Sequence, residues 1–206
     1  MIDPAKYTDQ WLFQNRYADG RVLNVGCDSD GARLGKRPGA VNVDLHRISK
    51  IRGTEWSPNP VSVLADGRQL PFKSRFDTVV LGEILEHMSD SDALKTLEEA
   101  KAALRVACEP APEWGGTYVR GGCRVPRIVV TVPHDVRERE EQGYGELRYF
   151  APGIPVHHPR CIEKALLMTW VRLAELLVMV EAKIDYVWGQ IGTGLVLVPM
   201  TGGLKA

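Results

Sequence analysis

Several residues stand where chemistry can be done. "VLNVG" closes an apolar run on Gly26, and "AVNVDL" closes the next on Asp44, eighteen positions later. "VLADGRQLPF" sets Asp66 and Gly67 after a third apolar run, and "FDTVVLGEILEHM" sets Gly82 and Glu83 at the end of a fourth. A glycine at a strand end lets backbone approach a ligand closely, because no Cβ stands in the way. A carboxylate closing the neighbouring strand can accept both hydroxyl protons of a ribose. At the third strand end, Asp66 can accept from an exocyclic amine of a purine while the next amide donates to a ring nitrogen. His87 and His134 follow the fourth and fifth apolar runs. An imidazole there titrates near neutral pH and can act as a general base; each histidine also suits a purely structural hydrogen bond.

These positions need a scaffold that brings strand ends to one edge. Short apolar runs at 21–25, 40–45, 61–67, 76–83 and 127–133 predict five buried parallel strands. Residues 7–17 predict a short N-terminal helix. A second helix is expected from Ser89 or Asp90, with acids in its first turn and Leu94, Leu97 and Leu104 at helical spacing. Residues 108–126, with Pro and paired Gly, read as an irregular loop. A long helix is expected at about 161–182, with Leu166, Trp170, Leu173, Leu177 and Val180 on one stripe. "KIDYVWGQ" and "GLVLVPM" then suit a closing hairpin across "IGTG". Strand–helix alternation predicts a parallel sheet with crossover helices on both faces, and the hairpin forces one strand antiparallel. Ligands of such sheets bind beyond the carboxyl ends of the strands.

Adjacent strand ends bearing acids, with no Lys or Arg between them, make a poor phosphate site. They suit a ribose, an adenine amine and a cationic group, and S-adenosylmethionine offers all three without a phosphate. The run "VLNVGCDSDG … GAVNVDL … VLADGRQLPFKSRFDTVVLGEILEHM … RIVVTVPHD" resembles the class I S-adenosylmethionine-dependent methyltransferases, over roughly residues 20–135. It is nearest to small methyltransferases whose first strand reads L-N-x-G. The resemblance implies a doubly wound, Rossmann-like α/β fold with a seven-stranded sheet, mostly parallel, and an antiparallel C-terminal hairpin. It implies one domain: a helical cap over 1–19, a cofactor-binding core over 20–135, and an acceptor-side loop, helix and hairpin over 136–206. Gly26 and Cys27 would then line the methionine part of the cofactor through their backbone. Asp44, with Leu45 beside it, would hold the ribose side, and Asp66 with the Gly67 and Arg68 backbone the adenine. Gly82 and Glu83 would border the cofactor and acceptor pocket, with His87 and His134 as the catalytic candidates. Asp28 suits either the cofactor's cationic end or a turn bond to its own backbone.

Composition narrows the alternatives. Across 206 residues, 26 Lys and Arg balance 26 Asp and Glu, so no global field attracts nucleic acid or an anionic membrane. No secretory leader is recognisable, and the four cysteines fall in no C-x-x-C pair, which suggests a cytoplasmic protein with reduced thiols and no metal site. The most apolar segment, 165–182, is interrupted by Arg172 and Glu175 and suits a core helix better than a membrane span. The expected partner is an unidentified methyl acceptor, a small molecule or a glycan, bound by a monomer or a homodimer. Two rivals share the first two motifs. A nicotinamide-dependent oxidoreductase calls for a fuller G-x-G-x-x-G turn than this chain has; a non-catalytic binding or scaffold module would bind the cofactor without turnover.

Overall fold

The computed structural model describes residues 8–26, 40–45, 63–105, 118–119, 123–133, 162–185 and 191–200. In chain order its strands are β1 (Thr8–Asp9), β2 (Val22–Val25), β3 (Val41–Asp44), β4 (Val63–Leu64) and β5 (Thr78–Gly82), then β6 (Tyr118–Val119), β7 (Cys123–Arg124), β8 (Arg127–Pro133), β9 (Leu176–Asp185) and β10 (Ile191–Pro199). Its helices are α1 (Gln10–Tyr17), α2 (Asp90–Ala103) and α3 (Lys164–Leu173), with a 3-10 turn at Leu85–His87.

Apolar residues at nearly every position suit a strand to burial on both faces. β2 is buried along its whole length and β8 at all but its first residue. The sheet order is β4-β3-β2-β5-β8-β10-β9-β1. β2 lies parallel to β3 and β5, β3 to β4, and β5 to β8. β10 runs antiparallel to both β8 and β9, as the closing hairpin requires. The expected seven strands are therefore all present, and the two-residue β1, parallel to β9, adds an eighth at the edge.

Two apolar layers sandwich this sheet. Leu23, Val79, Leu81, Ile128 and Val130 face α2 and α3, meeting Leu97, Leu167 and Trp170. Val22, Val80 and Val129 face the other way onto Phe13 of α1. Inside the sheet, Asn24 of β2 donates its side-chain amide to the Asn42 side chain of β3 at 3.3 Å. The pairing satisfies two polar groups that burial would otherwise leave costly. α2 begins where expected, with the Ser89 hydroxyl accepting from the Asp92 N–H at 3.2 Å.

The C-terminal third departs from the sequence expectation. The long helix expected at 161–182 stops at Leu173; Ala174 and Glu175 turn the chain, and β9 takes over at Leu176. Glu175 makes that turn in the left-handed region at φ 54°, with no glycine or proline to announce it. Leu167, Trp170 and Val171 form the helix's buried face, whereas Leu173 and Leu177, both assigned to the expected stripe, are 61% and 50% exposed. β9 then changes face: the pairing skips Met179, so that Val178 sides with the α2–α3 layer and Val180 with the α1 layer. The hairpin also shifts, because "IGTG" lies inside β10 and the connection falls at 186–190, outside the described residues. Within 108–126, β6 and β7 pair as a small antiparallel sheet where an irregular loop was expected. Among the described residues no helix is long and apolar enough to cross a membrane.

Candidate active site

The carboxyl ends of β2, β3, β4 and β5 open into one cleft of about 700 Å³. Its wall carries Gly26 from β2, Asp44 and Leu45 from β3, Asp66, Gly67 and Arg68 after β4, and Glu83 and His87 after β5. Eight sequence-predicted site residues are thereby brought together. Cys27, Asp28 and His134 lie outside the described residues. Gly82 is not part of the described cleft wall; a Cβ there would stand 2.5 Å from the Gln14 side-chain nitrogen of α1. That nitrogen donates to the Thr131 hydroxyl at 2.8 Å, so Gly82 makes room for a polar seam between the N-terminal helix and β8.

Parallel pairing fixes the strand ends side by side. The Gly26 N–H donates to the Val43 carbonyl at 2.9 Å, and the Ala65 N–H to the Asp44 carbonyl at 3.0 Å. Gly26 has φ 68°, and a Cβ on it would meet Ile84 at 2.7 Å. The missing Cβ thus makes room for an apolar wall of the cleft, a second reason for glycine beside the approach of a ligand. Ile84 and Met88, both lining the cleft, were not among the expected site residues. Both also pack against the core layer beneath, so their apolar character in the sequence did not single them out for the cleft.

Glu83 sits at φ 55°, an uncommon backbone for a non-glycine residue, and its N–H donates to the Thr131 carbonyl at 3.0 Å. Such outliers persist where surrounding structure over-determines them, and they cluster at functional sites. Three residues on, Glu86 is fully buried in the 3-10 turn. Neither of its oxygens meets a well-aligned hydrogen-bond partner among the described residues. Burial pushes its carboxyl up to about 8, and weaker contacts with its own backbone N–H and the Glu83 side chain offset only part of that.

One expectation about charge is corrected. Arg68 does stand between the acids: its backbone N–H donates to Asp66 Oδ1 at 2.8 Å, its Nε to both oxygens at 2.9 and 3.0 Å, and its Nη2 to Oδ2 at 2.6 Å. Asp92 in the first turn of α2 approaches Nη1 at 3.3 Å. The Arg68 side chain and backbone hold the Asp66 carboxyl below its ordinary range. Both oxygens of the Asp66 carboxylate and the Arg68 N–H thus have partners within this loop. Periodicity placed Asp66 at the strand end but carried no information about its partner two residues on. Among the described residues, no group of three His, Cys, Asp or Glu side chains is arranged to hold a metal ion.

No protein-family model matches the chain, and no curated protein does. Solved structures match its fold. A Burkholderia thailandensis 1,6-didemethyltoxoflavin-N1-methyltransferase, solved with 1,6-didemethyltoxoflavin and S-adenosylhomocysteine, aligns with TM-score 0.58 at 15% identity, over 93% of this chain and 76% of that one. A SAM-dependent methyltransferase from Methanosarcina mazei aligns with TM-score 0.60 at 10% identity, over 95% of this chain and 100% of that one. The [4+2]-cyclase SpnF aligns with TM-score 0.56 at 13% identity, over 97% of this chain and 86% of that one. The fold is the Rossmann-like fold of S-adenosylmethionine-dependent methyltransferases.

Proposed function

We propose that the protein is an S-adenosylmethionine-dependent methyltransferase acting on a small-molecule or glycan acceptor. The observation that carries this reading is the convergence of Gly26, Asp44, Gly67 and Glu83 on one cleft at the carboxyl edge of this sheet. The cleft is large enough for a nucleoside-sized ligand and its lining matches the donor's parts. Asp44, half-buried at the end of β3, accepts from the ribose hydroxyls. The Gly26 turn admits the amino-acid end, with Cys27 and Asp28 following it in the chain, and the Ala65–Gly67 segment borders the base. Glu83 supplies negative charge beside the sulfonium, a charge complementarity that a neutral thioether product would lose. That Methanosarcina and Burkholderia methyltransferases share the fold supports the reading.

When bound, the donor supplies a methyl carbon that passes to the acceptor as its bond to sulfur breaks, leaving a neutral thioether. The chain's part is alignment in a shielded cleft. His87, exposed on the cleft wall one turn after Glu83, is the proposed base for an acceptor that is protonated at neutral pH. His134, next after β8 in the chain, is a second candidate on the same grounds. A second reading has one specific observation behind it: a [4+2]-cyclase shares this fold, so the fold is compatible with chemistry other than methyl transfer.

Titration calorimetry tests the donor site. Wild type should bind S-adenosylmethionine in preference to NADH, and Asp44→Ala should weaken it by about 1.5–3 kcal/mol through lost charge-assisted hydrogen bonds. Equal affinity in both proteins would remove Asp44 from the site, and tighter NADH binding would favour the oxidoreductase.

A further inference from the structure

Arg68 is held in an unusual way for a residue on a ligand cleft. All three of its guanidinium nitrogens face carboxylates: Nε and Nη2 lie against Asp66 at 2.6–3.0 Å, and Nη1 lies 3.3 Å from Asp92. The two acids come from different elements, the β4 end and the first turn of α2, so the plane is fixed from two directions. The side chain is nonetheless 45% exposed and lines the cleft. Three of its five N–H groups are thereby engaged by Asp66 and Asp92, and the plane they fix leaves Arg68 a flat face to offer a ligand. A guanidinium face attracts the face of an aromatic ring and stacks on planar bases.

We propose that Arg68 is the stacking surface for the planar base of the bound nucleoside, and that Asp66 is a positioning residue that sets the plane of Arg68. This rests on the donor reading above, and it adds a role to the one expected of Asp66. The engaged carboxylate orients the cation on which the ring lies. The same geometry favours a ligand with an extended planar ring system, a purine nucleoside above all, since a ring gains more from the guanidinium face than a sugar or an aliphatic chain does.

Calorimetric titrations of S-adenosylhomocysteine and of adenosine into wild type, Arg68→Ala, Arg68→Lys, Asp66→Ala and the Arg68→Ala/Asp66→Ala double variant test it. Arg68→Ala should weaken both ligands by the same factor, about 3- to 30-fold, the range of an arginine stacked on an aromatic ring. Arg68→Lys should fail to restore binding, since an ammonium keeps the charge but not the plane. Asp66→Ala should weaken binding in the wild-type background and have little effect once Arg68 is gone. Full binding by Arg68→Ala or rescue by lysine overturns the proposal. So does a loss seen with S-adenosylhomocysteine but not with adenosine, which would mean contact with the ligand's carboxylate instead. Additive losses in the double variant overturn the role given to Asp66. Circular dichroism melts of each variant separate these outcomes from misfolding, and Arg68→Gln serves as a neutral planar replacement if the alanine variant is unstable. Wild type that binds neither ligand contradicts the donor reading itself, and the stacking role falls with it.

Discussion

Gly26 carries two constraints at once, a left-handed backbone and a Cβ position claimed by Ile84 at 2.7 Å. Each works against any larger residue. Gly26→Ala should therefore lose about 2–4 kcal/mol of stability, from the backbone penalty and from overpacking against Ile84. Denaturant melts check this, and a loss under about 0.5 kcal/mol would mean that Ile84 yields freely. His87 lines the cleft but lies away from Asp44 and Gly67 in sequence and element. His87→Ala should lower the turnover of a hydroxyl acceptor by about 10²–10⁴ while donor affinity stays unchanged. A change within threefold would point to an acceptor needing no base. At this scale the sequence was informative wherever a residue's place at a strand end was itself the signal, as for Gly26, Asp44, Gly67 and Glu83. Arg68 was expected there only through its backbone; the engagement of its side chain by Asp66 and Asp92 was not legible, because no periodicity encodes side-chain partners.

The turn from β5 into α2 buries a carboxyl. Glu86 is buried there as a carboxyl titrating near 8, above the ordinary carboxylate value of 4.5. The folded state thus holds a proton that the unfolded chain releases as soon as pH exceeds about 4.5. Unfolding then releases protons, so this group makes stability fall as pH rises from about 4.5 to about 8 and level off above it. Glu86→Gln keeps the neutral shape and should remove that slope, gaining a few kcal/mol at pH 8 relative to pH 5 when compared with wild type. Denaturant midpoints of both proteins at the two pH values give the answer; parallel curves would show that Glu86 is not the source. The other element of note is the segment after α3. "ALLMTWVRLAELLVMVEA" satisfies a helical stripe and a buried strand about equally well, since apolar residues fill nearly every position. Pairing with β10 decides in favour of strand from Leu176 onward, and that contact is non-local. The turn's only local mark is Glu175 in a left-handed conformation that its residue type does not favour.

Taken as a whole, the sheet explains why its architecture was legible while its edge was not. Five buried runs separated by turn signals imply a parallel α/β sheet almost regardless of loop detail. The edge depends on β9, where Leu177 and Met179 are 50% and 43% exposed and Glu181 and Lys183 follow on the strand. The skipped Met179 and the flanking charges are the usual means of discouraging a second copy from pairing along an edge. Glu181 is further tied to Lys164 of α3. We expect a monomer, so Met179→Glu should leave the mass measured by light scattering unchanged; a dimer that this substitution dissociates would reveal an interface on β9. The donor site itself is tested most directly by native mass spectrometry of freshly purified protein, before and after incubation with S-adenosylmethionine. A bound species matching S-adenosylmethionine or S-adenosylhomocysteine, lost in Asp44→Ala, is the expected result. A protein that stays bare with the donor, or that carries a nicotinamide dinucleotide instead, would contradict it.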